Sequence, residues 1–181
     1  MAGARNNVVK MEQQNEIVNR VANSTLITFD LETYYESGDR FLFDIKAQLY
    51  EGLIIKEKDF REFIKTHNWS SYKDKLVAIT CTADAIIPTW AFILVAISLR
   101  PYAKRIEFGS LATLEERLFQ EALAKVDWHQ FQNQKVVIKG CSKIKVPESA
   151  YILAVSKLQP IVSSLMFGEA CSTVPLYKRR P

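Results

Sequence analysis

The sequence contains few of the residues that build common catalytic and cofactor sites. Its 181 residues include 3 cysteines, 2 histidines, 6 glycines and 6 prolines. It has no glycine-rich phosphate-binding motif, no G-x-S-x-G nucleophile motif and no H-E-x-x-H zinc motif. These absences remove the sequence signatures of P-loop and Rossmann nucleotide binding, of α/β-hydrolases and of zinc proteases. Three cysteines cannot form a closed disulfide framework, so a reducing compartment is expected.

Charge gives little reason to expect a nucleic-acid partner. The formal net charge is +4, but five basic residues lie near the two ends: Arg5, Lys10, Lys178, Arg179 and Arg180. Residues 11–177 therefore hold 19 basic and 20 acidic side chains. No basic stripe alternates with aromatic residues, as a nucleic-acid surface would require. We expect no nucleic-acid partner.

A cytoplasmic location without a membrane span is expected. Residues 1–10 contain no apolar core of a signal peptide. Residues 76–99 are long and apolar enough to be considered as a span. Asp84 and Pro88 interrupt their middle, however, and the first part has the composition of a β-strand. A buried strand followed by a buried helix is the better interpretation.

The order of patterns predicts an α/β fold. A short helix is expected over 12–22, and apolar runs at 26–31 and 40–45 flank a turn, which suggests a hairpin of two strands. The second run is alternatively helical, because Ile45, Leu49 and Leu53 recur every four residues. From residue 57 onward helices and strands alternate. The strands are largely apolar, which predicts a mainly parallel sheet covered by helices on both faces. We assign 1–11 to a flexible tail, 12–177 to one domain and 178–181 to a basic tail.

An internal repeat organises the second part of the chain. Residues 57–109 align with 116–168 at a constant offset, and 14 of 53 pairs are identical. The identities include Trp69 with Trp128, Pro88 with Pro147, and the Phe-Gly pair that ends each of the two copies. We interpret this as a tandem duplication of a helix–strand–helix–strand unit. Any ligand is then expected at the carboxyl ends of the strands.

The three cysteines fall at or just after predicted strand ends. Cys81, Cys141 and Cys171 could converge on zinc or on one [4Fe–4S] cluster, because thiolates suit both. Asp84 and Glu169 are candidate fourth ligands or bases. This pattern predicts a cysteine-ligated centre used in cluster handling or cluster-dependent chemistry.

Two other interpretations of the same region stay open. Free cysteines are often buried packing residues, and the chain would then be a non-catalytic interaction or assembly module. Alternatively, Gly140, Ser142 and Lys143 could bind a small anion or metabolite at a strand end. Lysines at 135, 139, 143 and 145 surround this segment, and they would also favour a thiolate at Cys141.

Several segments resemble an uncharacterised bacterial family, domain of unknown function 2480. They are FDIKAQLYEGLIIKEKDFREFIKTHNW, CTADAIIPTWA, KGCSKIKVPESAY and MFGEACSTVPLYKR, and the likeness extends from about Asn15 to Arg179. The resemblance implies no catalytic residues. It does imply a gene neighbourhood with iron–sulfur assembly genes, and hence iron–sulfur assembly proteins as partners.

Overall fold

The structure, a computed structural model, describes residues 26–140, 143–169 and 172–180. Four α-helices and seven β-strands lie in these residues. In chain order they are β1 (Leu26–Phe29), β2 (Arg40–Asp44), α1 (Glu57–Thr66), β3 (Leu76–Thr80), α2 (Thr89–Leu99), β4 (Arg105–Phe108), α3 (Leu111–Ala124), β5 (Lys135–Lys139), α4 (Glu148–Leu158), β6 (Ser164–Glu169) and β7 (Ser172–Lys178). Short 3₁₀ turns cover Leu31–Tyr34, Ile45–Gln48, Trp69–Tyr72 and Trp128–Phe131.

The chain is α/β, and its strands form two mostly parallel sheets. Strands β2, β3 and β4 form a three-stranded, entirely parallel sheet. The four-stranded sheet has the order β1-β5-β6-β7, in which only β7 is antiparallel. The predicted α/β class and parallel pairing are confirmed. The strands, however, divide between two sheets instead of forming one.

The two sheets are built by elements in the same order. In each, a strand with Phe-Asp at its end leads into a 3₁₀ turn. A helix, a second 3₁₀ turn, the central strand, an 11-residue helix and a third parallel strand follow. Just before the central strands, Asp74 and Asn133 adopt similar positive φ angles of 61° and 60°. The local backbone therefore repeats along with the order of elements.

The helix starts follow the residues that precede them. Pro88 and Pro147 stand directly before α2 and α4, with φ of −61° and −66°. Proline suits a helix entrance because its missing N–H needs no helical acceptor there. At α3, the Ser110 hydroxyl accepts a hydrogen bond from the Thr113 N–H at 3.1 Å, a normal N-cap. The predicted alternation of helices and strands after residue 57 is confirmed at these three helices.

The expected hairpin between the first two strands is wrong. β1 pairs with β5 and β2 pairs with β3, both in parallel. Each strand thereby buries its own phenylalanine in a different core: Phe29 in that of the four-stranded sheet and Phe43 in that of the three-stranded sheet. A hairpin would place both phenylalanines in a single core. The helix predicted over 12–22 lies outside the described residues.

Helix α3 connects the two sheets. Its Leu114 and Leu118 pack against Leu76 of β3. Phe119 and Leu123, further along the helix, belong to the core of the four-stranded sheet. All five side chains are less than 5% exposed. One helix thus contributes to the apolar packing of both sheets.

The last strand was not predicted from the sequence. β7 pairs antiparallel with β6, and the pairing shifts register between Leu165 and Met166. It carries Pro175, a residue tolerated in edge strands and at irregular positions. From the segment assigned to a basic tail, Lys178 ends β7. Arg179 donates to Asn133 Oδ1 at 2.8 Å and to the carbonyl of Pro160 at 2.9 Å.

Residues 76–99 form β3 and then α2, as predicted. Strand β3 is buried along most of its length. Helix α2 has 11 residues and is mostly apolar, with no charged side chain. No helix within the described ranges has the length and apolar content that crossing a membrane would require.

Candidate functional site

The loop after β3 is fixed by the carboxylate that ends β2. The Thr82 N–H donates to Asp44 Oδ1 at 3.1 Å, and the Thr82 hydroxyl donates to Asp44 Oδ2 at 2.5 Å. Asp44 also accepts from the Lys46 N–H at 2.9 Å, as the cap of a 3₁₀ turn. Burial raises the pKa of Asp44, but these hydrogen bonds outweigh it and lower the pKa below the usual value. Asp44 is therefore an ionised structural anchor.

The loop after β5 is held in a related way by two acidic residues. Lys139 Nζ lies 2.7 Å from Asp30 Oδ2 and 3.0 Å from Glu32 Oε2. The other oxygen of Glu32 accepts the backbone N–H groups of Lys143 and Ile144. Hydrogen bonds to Asp30 and Glu32 raise the pKa of Lys139 well above its ordinary value. The charge of Lys139 is thus matched by two carboxylates, which makes it a poor anion ligand.

Gly140 is accounted for by packing. A Cβ at this position would lie 3.0 Å from Cε1 of Phe167 and 3.2 Å from the Cα of Gly168. The Gly140 N–H donates to the Gly168 carbonyl at 3.2 Å. Phe167 in turn contacts Tyr151 of α4 edge to face, with ring centroids 5.9 Å apart. Glycine therefore allows β5 and β6 to approach closely at their carboxyl ends, where a larger residue would crowd Phe167 and Gly168.

Of the five predicted metal ligands, the structure describes Cys81, Asp84 and Glu169. Cys141 and Cys171 lie outside the described residues, as does Ser142, which was predicted to bind an anion or metabolite. Cys81 is half-buried, packs against the core of the three-stranded sheet, and lies 3.9 Å from the Ala83 carbonyl through its Sγ. Asp84 is exposed in the same loop, whereas Glu169 ends β6 in the other sheet. Within the described ranges, no three His, Cys, Asp or Glu side chains are grouped so as to hold a metal ion.

A cleft of about 480 Å³ opens where α3 and α4 begin. This volume lies in the range of small-molecule sites. Its walls come from the first turns of α3, from the segment that enters α4, and from two residues at and just before the start of β2. The lining residues are Leu111, Ala112, Glu115, Glu116, Ile144, Lys145, Pro147, Glu148, Tyr35 and Arg40.

One wall of the cleft is a stacked pair. The Arg40 guanidinium lies 4.3 Å from the centre of the Tyr35 ring. Its N–H groups donate to both oxygens of Glu115, at 2.5 and 3.1 Å, and to the Gly38 carbonyl at 2.6 Å. This bidentate pairing raises the pKa of Arg40. Arg40 and Glu115 therefore neutralise each other and form a rigid wall.

The remaining charges in the cleft are Glu116, Lys145 and Glu148. Their side chains form no ion pair or hydrogen bond with the part of the chain that the structure describes. They leave an excess of one negative charge beside the apolar surface of Leu111 and Ile144. The cleft thus combines an apolar floor, an aromatic wall and two available carboxylates.

Most residues of this cleft carry no recognisable signal in the sequence. Arg40 and Glu115 are 75 positions apart, and neither belongs to a recognisable motif. Lys145 was noted only as one of a run of lysines. The start of α4 could have been found, since Pro147 marks it and ligands favour the carboxyl ends of strands.

A family model described as "Protein of unknown function (DUF2480)" matches residues 15–179. The chain belongs to this family. The match includes every element described above, both loops and the whole cleft. A search of curated proteins and a search of solved structures each found no match to this DUF2480 chain.

Proposed function

We propose that the protein binds a small amphipathic molecule in the cleft between the starts of α3 and α4. The cleft itself carries this proposal. It has the volume of a ligand site, and the Tyr35–Arg40 stack braces one wall. The segment that enters α4 is held in place by Glu32 through the Lys143 and Ile144 N–H groups. Fixed walls favour binding because little conformational entropy is lost.

The charges favour a ligand with an apolar body and an amine. Arg40 and Glu115 satisfy each other, while Glu116 and Glu148 are available and Lys145 opposes only one of them. A protonated amine can pair with these carboxylates, and the side chains of Leu111 and Ile144 can cover an apolar body. The described residues favour this over an anion at Gly140 and Lys143, because Lys139 is already neutralised.

Phenethylamine is a suitable probe, and 3-phenylpropionate is its counterpart with a carboxylate in place of the amine. We expect phenethylamine to shift the NMR amide signals of residues 111–116, 144–146 and 148, and 3-phenylpropionate to bind more weakly. Glu116→Gln with Glu148→Gln should weaken phenethylamine binding by about tenfold, since charged hydrogen bonds are lost. Asp59 is an exposed residue of α1 outside the cleft, so Asp59→Asn is the control and should leave the affinity for phenethylamine unchanged.

Equal binding of the two probes would contradict the choice of an amine. Absence of any signal change in the cleft at millimolar phenethylamine would contradict the site. Tyr35→Ala provides a third check, because it removes the aromatic wall without altering the carboxylates. It should weaken both probes.

A cysteine-ligated zinc ion or [4Fe–4S] cluster is a second proposal, with cluster handling or cluster-dependent chemistry as its role and iron–sulfur assembly proteins as partners. One observation favours it. Lys139 of β5 is in register with Gly168 of β6, and the Gly140 N–H donates to Gly168. Gly140, directly before Cys141, and Gly168, three positions before Cys171, are thus hydrogen-bonded neighbours. Cys81 follows a strand of the other sheet, so it is the weakest member of the set.

Metal analysis and an absorption spectrum after anaerobic purification test this second proposal. A bound metal that is lost in Cys141→Ser and in Cys171→Ser, but kept in Cys81→Ser, would support a site at the ends of β5 and β6. Loss in all three variants would support the three-cysteine centre. Colourless, metal-free protein would contradict both and leave the cysteines as packing residues.

We also propose that the two sheets arose by tandem duplication. They would form one domain over 12–177, with helices on both faces of the sheets. We further propose that the protein is cytoplasmic. The shared element order supports duplication. So do the edge-to-face pairs Phe92–Phe108 and Tyr151–Phe167, which lie at matching positions. Superposition of residues 57–109 on 116–168 in an experimental structure tests it. Unrelated backbone paths would contradict it.

A further inference from the structure

Helix α2 presents an apolar surface to solvent. It contains no charged residue. Ala91, Val95 and Leu99 bury its inner face. On the outer face Ile93 is 52% exposed and Ile97 is 63% exposed. Ile86, in the loop that leads into the helix, is 93% exposed. We name Ile86, Ile93 and Ile97 the α2 stripe.

The solvent-facing surface of helix α4, which matches that of α2, is more polar. It has the same length, and its inner face is buried by Ala150, Ala154 and Leu158, at positions that match those of α2. Ile86, in the loop before α2, matches Lys145, in the segment before α4. Trp90 and Ile97 of α2 match Ser149 and Ser156 of α4. Only Ile93 has an apolar counterpart, Ile152, which is 70% exposed. The extra isoleucines of α2 are therefore not needed to build such a helix.

The charges at the two ends of the α2 stripe complement each other. Asp84 is exposed just before the stripe, and Arg100 is exposed directly after α2. Neither has a side-chain partner among the residues that the structure describes. If two copies of α2 pack antiparallel, Arg100 of one copy lies near Asp84 of the other, and this occurs twice about a two-fold axis. Self-complementary patches of this kind are the basis of C2 dimers.

We infer that the α2 stripe is the interface of a homodimer in which the two α2 helices pack antiparallel. The stripe provides the apolar centre, and the pairs between Asp84 and Arg100 set the direction. The cleft between α3 and α4 lies on other helices, so the dimer does not depend on the proposed ligand.

Sedimentation equilibrium of the full chain tests the dimer. We expect the dimeric fraction of the wild-type protein to increase as its concentration rises. Ile93→Lys and Ile97→Ser should each raise the dissociation constant of the dimer by about tenfold or more. Ile152→Lys is the matched control, because it places the same charge at the corresponding position of α4. It should leave the dissociation constant unchanged, and far-UV circular dichroism should show every variant folded.

Charge exchange distinguishes a second copy from any other partner. Asp84→Arg and Arg100→Asp should each weaken the dimer, because like charges then meet across the axis. The double variant restores opposite charges and should recover an affinity within about threefold of wild type. A wild-type protein that stays monomeric at all concentrations, or that binds phosphatidylcholine vesicles through the α2 stripe, would overturn the inference. An equal effect of Ile152→Lys would do the same.

Discussion

Thr82 donates both its backbone N–H and its hydroxyl to one carboxylate, that of Asp44. This ties the loop after the central strand of one sheet to the end of the neighbouring strand. In the other sheet, Asp30 occupies the corresponding place and accepts from Lys139 at 2.7 Å. Each Phe-Asp pair thus performs two tasks. Its phenylalanine enters the core, and its aspartate fixes the carboxyl edge of the sheet.

Asp44→Ala should lower the free energy of unfolding by about 2–3 kcal/mol, because a cap and two hydrogen bonds to a charged group are lost. Urea unfolding measures this. Thr82→Val should cost less, since it removes only the hydroxyl. The double variant should be less destabilised than the sum of the two single changes, and strict additivity would contradict the anchoring role of Asp44.

Gly140→Ala should destabilise the protein by about 1–3 kcal/mol, because the new methyl group meets the Phe167 ring and the Gly168 backbone. Thermal unfolding measures the loss. Phe167→Leu removes the ring and should recover part of the stability in the double variant. If Gly140→Ala is neutral, β5 and β6 do not approach as closely as described.

His67 should make stability depend on pH. Its Nε2 lies 2.9 Å from the Tyr72 hydroxyl, and burial lowers the pKa of His67 below 6.5. The unfolded chain therefore takes up a proton first as the pH falls. The contribution of His67 is complete above about pH 6.5 and is lost as the pH falls from there through the folded-state pKa.

Melting temperatures measured between about pH 7.5 and 5.5 test this sign. His67→Gln should flatten the dependence in that range. His129→Gln, at an exposed position, is the control and should retain the wild-type slope. A wild-type protein that gains stability on mild acidification would show that His67 has a charged partner instead.

Helix α3 should couple the two sheets in unfolding. Leu118→Ala and Leu123→Ala each open a cavity beside a different sheet and should cost about 2–5 kcal/mol. Gln120→Ala, on the exposed face of the same helix, should change stability by less than about 0.5 kcal/mol. We expect near-UV and far-UV circular dichroism transitions to coincide in every variant. Separate transitions would show that the sheets unfold independently.

Local patterns were sufficient for most of the elements. Pro88, Ser110 and Pro147 mark helix starts through their own backbone chemistry, and the apolar residues of β3 and β5 indicate buried parallel strands. Pairing was harder to predict. Leu26–Phe29 and Arg40–Asp44 look like a hairpin because they are close in sequence, yet each pairs with a strand much further along. Pro175 similarly concealed the last strand.

The candidate site was less accessible to sequence reasoning. The cleft depends on Arg40 and Glu115, whose contact is set by how α3 crosses the three-stranded sheet. Gly140 shows a different difficulty. A Cβ there would lie 3.0 Å from the Phe167 ring, so packing also favours glycine at this position. Its role as a ligand-binding residue stays a prediction. The hypothesis on Cys141 and Cys171 stays a prediction.

The crossed pairing of the first two strands affects the order in which the chain can fold. All three strands of the sheet β2-β3-β4, with α1 and α2, lie between Arg40 and Phe108, so these strands can pair before synthesis is complete. Of the strands that the structure describes, β1 is made first, yet its partner β5 begins only at Lys135. Until then the apolar side chain of Phe29 has no finished core to enter. A large sequence separation between paired strands slows folding, and it prolongs the exposure of an unpaired strand edge. Among the described residues, the edge of β1 is therefore the one that stays unpaired longest during synthesis.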